Sequence, residues 1–248
     1  MFPLKDNIPT LRFPVVTATL IALNVIAYLF WQQGGITLGD PSSQHYICNV
    51  YEYAEIPYEV THPGEQIGIG GCEAPTAPTW LTLLTSMFMH GGLLHLGGNM
   101  LFLWIFGNNV EDSMGPVKFV LFYLLGGLAA TALQVAFNAD SAVPNLGASG
   151  AVAGVLGGYL ILFPRARVIT VIFIVFFFTI VELPALLILG FWFVQQVLFG
   201  YLELDSAGEG GGVAYFAHVG GFAFGLLAIK LFADERKRRG QIERVGRV

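Results

Sequence analysis

The sequence predicts an all-α membrane protein, a bundle of six transmembrane helices forming one domain over residues 1–248. Three observations carry that prediction. Hydrophobic residues make up 55% of the chain and charged residues only 12%, whereas soluble domains carry about 25% charged residues. Apolar runs close to twenty residues long, the length that crosses a bilayer, recur along the chain. All 12 Lys and Arg residues can be placed on one side of those runs.

The first run, 14–31, has no small-residue cleavage site and reads as a retained span rather than a removed signal peptide. The connection after it, Gln32 to Pro78, is polar, rich in Gly and Pro, and much longer than any other. Spans two to six are predicted at 93–110, 116–137, 148–163, 183–200 and 213–232. Their short connections make consecutive helices antiparallel. One apolar segment, Val168–Val181, is β-branched and aromatic, too short for a spanning helix, and ends near Pro184. An interfacial hairpin or re-entrant piece suits it better. No internal repeat is evident, which counts against an inverted-repeat transporter. No basic, aromatic-interleaved patch suits nucleic acid.

Charge supports this count of spans. Lys5, Arg12, Lys118, Arg165, Arg167, Lys230 and the basic tail within 233–248 share one side. The opposite loops hold Asp40, Glu52, Glu55, Glu59, Glu65, Glu73, Asp140, Glu203, Asp205 and Glu209, with no Lys or Arg. The positive-inside rule then puts both termini in the cytoplasm. A seventh span at 168–181 would send the basic tail outside. The two cysteines, Cys48 and Cys72, fall in the outer loop, where an oxidising compartment favours a bond between them. Such a bond would stabilise by roughly 3 kcal/mol in the chain-entropy model; free thiols are the alternative. A metal site with His45 and His62 matches no closed zinc spacing.

Polar groups inside spans are costly and therefore candidate functional residues. Ser149 sits in Gly147-Ala148-Ser149-Gly150 at the outer end of span four. By itself such a serine usually bonds back to its own helix. Gly150, Gly154 and Gly158 follow it at helical spacing and give one bare face for close helix packing. His218 begins span six and is followed on its own face by Gly221 and Gly225. A lone histidine there is more often a structural hydrogen bonder. Glycine on both helices, however, is what a Ser149–His218 contact requires, and topology puts the two at similar depth. His95 and Asn99 lie four apart on one face of span two. They could donate to a tetrahedral oxyanion; ordinary inter-helix hydrogen bonding is the plain alternative. His90, further out, reads as structural. The motif of a metalloprotease, H-E-x-x-H, is absent from the sequence. With no acid as a third member, the pair would act as a Ser–His dyad.

In these motifs the chain resembles the rhomboid intramembrane serine proteases across essentially its whole length. His95-x-x-x-Asn99, the GASG around Ser149, and His218 with Gly221 and Gly225 occur in order on the appropriate spans. The resemblance implies a six-helix core, Ser149 as nucleophile, His218 as base, and His95 and Asn99 as oxyanion donors. It implies cleavage of the transmembrane segments of other proteins, with no metal and no cofactor. The 32–80 loop would correspond to the family's membrane-dipping first loop, and 201–214 to a cap over the site. Phe191, Trp192 and Phe193 of span five would form a lateral gate; packing against lipid is the simpler account. Two positions depart from the pattern. Trp80 is followed by Leu81 where many members have arginine, and Ala153 stands where some have a tyrosine packed on the base.

The competing readings are an inactive rhomboid relative that binds membrane segments, a transporter and a scaffold. The first usually lacks the serine or the histidine. A transporter would line a path across the bilayer, whereas these polar residues cluster in the outer third. The expected partners are substrate membrane proteins and the bilayer, and no feature speaks to oligomeric state. Charge pattern and composition suggest a bacterial plasma membrane.

Overall fold

The computed structural model describes residues 2–36, 42–174, 177–205 and 213–245. The elements in order are β1 (Phe2–Asp6), α1 (Val15–Ile26, continued by a π turn Ala27–Trp31), α2 (Gln44–Tyr53), α3 (Pro57–Thr61) and α4 (Thr79–Thr85). Next come α5 (Leu93–Phe102), a π turn Leu103–Gly107 and α6 (Asn108–Met114), which follow one another without a gap. The remainder is α7 (Pro116–Phe137), α8 (Ser149–Leu162), β2 (Arg167–Ile174), β3 (Phe177–Pro184), α9 (Ala185–Asp205), α10 (Tyr215–Phe232) and α11 (Glu235–Val245). Among the described residues, Pro116–Phe137, Ala185–Leu202 and Tyr215–Phe232 are long and apolar enough to cross a membrane. Val15–Trp31 and Ser149–Leu162 are shorter apolar helices.

The expectation of an all-α chain needs correction at one place. The 168–181 segment forms an antiparallel hairpin, with Arg167 opposite Pro184 and Ile174 opposite Phe177. The N-terminal strand adds to its edge, Phe2 opposite Val171 and Asp6 opposite Val168. A β-branched and aromatic run suits a pleated ladder, and pairing satisfies backbone groups that could not otherwise be left near lipid. Of the two alternatives for this segment, a hairpin or a re-entrant piece, the hairpin forms; its partner strand had no signal in the sequence, because FPLKD carries no clear alternation.

α8 is the centre of the bundle. Every residue from Gly150 to Tyr159 is buried, so this helix meets neighbours on all sides. Its tightest neighbour is α10. A Cβ placed on Gly221 would lie 2.0 Å from the Gly150 carbonyl oxygen, and one on Gly225 would lie 2.0 Å from the Gly154 oxygen. Gly157, which the glycine periodicity passed over, is as close to the Phe222 oxygen, at 2.2 Å. Backbone therefore packs on backbone along the whole contact. Lipid tails are as apolar as leucine, so this shape match, rather than a hydrophobic drive, holds the pair together.

Carboxylates at the opposite end anchor the N-terminal segment. Glu111 of α6 accepts from the Val16 and Thr17 amides and the Thr17 hydroxyl, at 3.0, 2.7 and 2.7 Å. Pro14, the residue before α1, offers no side-chain cap, so a distant helix supplies one. Asp6 accepts from the Tyr159 hydroxyl and from Asn109, tying β1 to α6 and α8. Lys118 donates to the Phe232 carbonyl at the end of α10, the end where a cation is favoured.

Replacing Gly225 by alanine forces α8 and α10 apart and should destabilise by about 1–3 kcal/mol, the usual cost of overpacking. Thermal unfolding in detergent should show a lower midpoint for Gly225→Ala. An unchanged midpoint would contradict the backbone contact.

Candidate active site

The site is built at the end of the bundle where α8 and α10 both begin. Ser149 is the first residue of α8, so its hydroxyl lies beside amides that have no acceptor within the helix. The loop leading to it is pinned from outside. Glu55 and Asn145 exchange two backbone hydrogen bonds, at 3.2 and 2.6 Å, and the Asn145 amide also donates to the Glu55 carboxylate at 2.9 Å. The Tyr58 amide donates to Ser141, and that of Gly147 to Ser86. Gly147 has φ +137°, and a Cβ on it would lie 2.9 Å from the His95 ring. Glycine is needed here on both counts.

His218 lies in the first turn of α10 and is buried. The amide of Ala217 beside it donates to Gln134 of α7 at 3.1 Å, which fixes the start of the helix. His218 Nε2 is 2.8 Å from Ser149 Oγ, and Nδ1 is 2.7 Å from Gln196 Oε1 on α9. Trp192, one turn before Gln196, lies against the same imidazole with ring centroids 5.5 Å apart. With Ala153 on α8, the ring beside His218 comes from α9 instead.

His95 of α5 accepts from the Gly91 amide at Nδ1, 3.2 Å away. That bond leaves Nε2 as the N–H of a neutral ring, on the side that faces Gly147. Asn99, one turn along, is buried, and its Nδ2 has no hydrogen-bond partner. An unpartnered buried donor costs about 1–3 kcal/mol, so it suits a site that acquires an acceptor. His90 is buried and edge-on to His95, with ring centroids 5.2 Å apart; burial, then the neighbouring His95, push its pKa down to about 3 and keep it neutral.

The predicted residues are thus distributed as follows. Ser149 and His95 both face Gly147, His218 is hydrogen-bonded to Ser149, Asn99 lies on the adjoining turn of α5, and Gly150, Gly154, Gly221 and Gly225 form the contact between α8 and α10. Cys48 and Cys72 are bonded to each other. Among the described residues no group of three His, Cys, Asp or Glu could hold a metal ion. The central part of the expected cap, 206–212, lies outside the described residues, as do 37–41 of the first loop. Of the aromatic trio on α9, Phe191 is exposed, while Trp192 and Phe193 turn inward and Phe193 stacks on Phe222. Gln196 escaped the sequence reading. Its signal was plain in hindsight of the geometry: Gln195-Gln196 interrupts an otherwise apolar span.

The model of the rhomboid domain matches residues 77–235, which hold Ser149, His218, His95, Asn99 and Gln196. The chain belongs to the rhomboid family. It is similar to Rhomboid protein 1, mitochondrial, of Saccharomyces cerevisiae, 31% identical over 67% of this chain and 46% of that protein. It is 30% identical to the mouse Presenilin-associated rhomboid-like protein, mitochondrial, over 59% of this chain and 37% of that protein. It is 41% identical to Rhomboid protease GluP of Bacillus subtilis over 33% of this chain and 15% of that protein. The chain therefore spans less than half the length of these relatives. It is an integral membrane protein of this family. Two of the three relatives are mitochondrial, which does not fit the bacterial plasma membrane suggested by composition.

Glu55 adds a pH-sensitive element beside the serine. It lines a cavity of about 40 Å³ together with Gly147, Ser149 and Gln134. Its Oε1 is buried without a partner. Burial raises its pKa from the ordinary 4.5 to about 7, against the lowering effect of Asn145, and nearby Glu59 raises it further. The folded state thus holds this proton more tightly than the unfolded chain. Stability is lost as pH rises from 4.5 to about 7, by up to roughly 3 kcal/mol once the group is ionised. Glu55→Gln should accordingly raise the unfolding midpoint at pH 8 and change it little at pH 4. A gain of equal size at both values would show that ionisation of Glu55 is not the cause.

Proposed function

We propose that this chain is an intramembrane serine endopeptidase that cleaves transmembrane segments of other proteins with a Ser149–His218 dyad. The observation that carries the reading is the 2.8 Å contact between His218 Nε2 and Ser149 Oγ. That is the distance at which a general base takes a hydroxyl proton. His218 removes the proton as Ser149 Oγ attacks the scissile carbonyl carbon, and the carbonyl oxygen becomes the oxyanion. The amides at the start of α8, His95 Nε2–H and the unpartnered Asn99 Nδ2 are the donors that would serve it. His218 then delivers the proton to the leaving amine, and water repeats the sequence on the acyl-enzyme.

Six spans follow from the same reading, with α1, α5–α6, α7, α8, α9 and α10 as the crossings. α8 is short because it is enclosed by the other helices and need not reach both interfaces. Its N-terminal serine then lies beneath the surface, where the substrate's helix end can unwind. Both termini lie on the basic side, the cytoplasm or its organellar equivalent.

The test is cleavage of a type I transmembrane substrate by purified protein in detergent, with fluorophosphonate labelling in parallel. Wild type should cut and be labelled, Ser149→Ala should do neither, and Asn99→Ala should cut about 100-fold more slowly, the loss of one oxyanion donor. Binding of the segment by wild type without cleavage or labelling would favour an inactive relative.

A further inference from the structure

We propose that Gln196 of α9 is the positioning residue for the base: its Oε1 accepts the Nδ1–H of His218 and thereby holds the Nε2 lone pair on the Ser149 hydroxyl. The inference rests on the protease reading above and deepens it. A neutral imidazole carries one proton, and the nitrogen that has it is fixed by the hydrogen bond that the other makes. To accept from Ser149, Nε2 must be bare, so Nδ1 must carry the proton and needs an acceptor. In a buried site there is no bulk water to supply one. Gln196 Oε1 stands 2.7 Å from Nδ1, and Gln196 is itself buried.

The surroundings favour this assignment. Among the described residues, no carboxylate hydrogen-bonds to His218. An amide oxygen does the same task without placing a charge in an apolar span. Trp192 and Gln196 are four apart, on one face of α9, and present a ring and an acceptor to the same imidazole. Phe191, Val194, Val197 and Leu198 on the rest of that helix are exposed. When His218 takes the serine proton, both nitrogens become donors, and the Nδ1–H bond to Gln196 persists. The bond thus steadies the imidazolium as well as the resting ring. Because the acceptor belongs to α9 rather than to α8 or α10, the dyad is oriented only while α9 is seated on α10.

Two variants of similar shape separate the acceptor from mere packing. Gln196→Met removes the acceptor; Gln196→Glu keeps an acceptor oxygen while exchanging the amide for a carboxyl group. On the full chain cutting a transmembrane substrate, Gln196→Met should lower kcat roughly 10- to 100-fold, the effect of one hydrogen bond to a group that becomes charged. KM should stay within about twofold, and Gln196→Glu should recover most of kcat. In ¹⁵N-histidine spectra, assigned by difference against His218→Asn, the resting ring should carry its proton on Nδ1 in wild type and lose that preference in Gln196→Met. Cleavage that needs Ser149 but is indifferent to Gln196→Met overturns this inference alone, as does an equal loss in both variants. Should the Met variant fail to fold, the wild-type spectrum decides, and a proton on Nε2 overturns the assignment. Absence of Ser149-dependent cleavage overturns the inference together with the reading beneath it.

Discussion

Between α8 and α10 two helix backbones touch with nothing but glycine between them, and the rest of the molecule is arranged around that contact. Carbonyls of Gly150 and Gly154 occupy the space that a side chain on Gly221 or Gly225 would need. A side chain at either place would widen the gap by the size of a methyl group. The Ser149–His218 hydrogen bond, at 2.8 Å, lies at the end of this same contact and has no slack to absorb such a change. The glycines on the helix faces therefore set the distance at which the two polar groups meet.

A second requirement is that the site be polar without being charged. Hydrogen bonds link Gln196, His218 and Ser149, and His95 faces Ser149 across Gly147, with Asn99 one turn further along α5. None needs to be an ion at rest, which avoids the penalty of a charge within an apolar bundle. The two histidines and the serine are then oriented by specific partners. Gly91 serves His95, Gln196 serves His218, and the Glu55–Asn145 bridge serves the loop that delivers Ser149. That bridge also ties the first loop to the segment before α8. The Cys48–Cys72 bond closes part of the same loop.

The opposite end of the bundle is held by different means. There the carboxylates of Asp6, Glu111 and Asp112 accept from backbone amides, hydroxyls and an asparagine. These bonds fasten the N-terminal segment to α6 and α8 and allow it to pair as a strand with the 167–184 hairpin. The carboxylates that hold the N-terminal segment and the catalytic candidates thus lie at opposite ends of the short central helix. The anchoring of the N-terminus does not intrude on the site.

Much of this was legible in the residues because helical spacing converts directly into shared faces. Gly150 with Gly154, Gly221 with Gly225, and His95 with Asn99 each repeat at four residues, and each pair shares a helix face. Length and hydropathy marked the apolar segments, and the β-branched run at 168–181 marked itself as something other than a span. What the sequence determined by itself was therefore local: which residues lie on one face, and at which end of a helix. The tertiary structure alone decided which faces meet. Gln196 reaches His218 only through the rotation and depth of α9 on α10, and Glu55 reaches Asn145 only through the path of the outer loop. β1 lies along the hairpin with Asp6 held by Tyr159 and Asn109. Each of these is a contact between segments far apart in the chain, and no periodicity along one segment encodes the position of another.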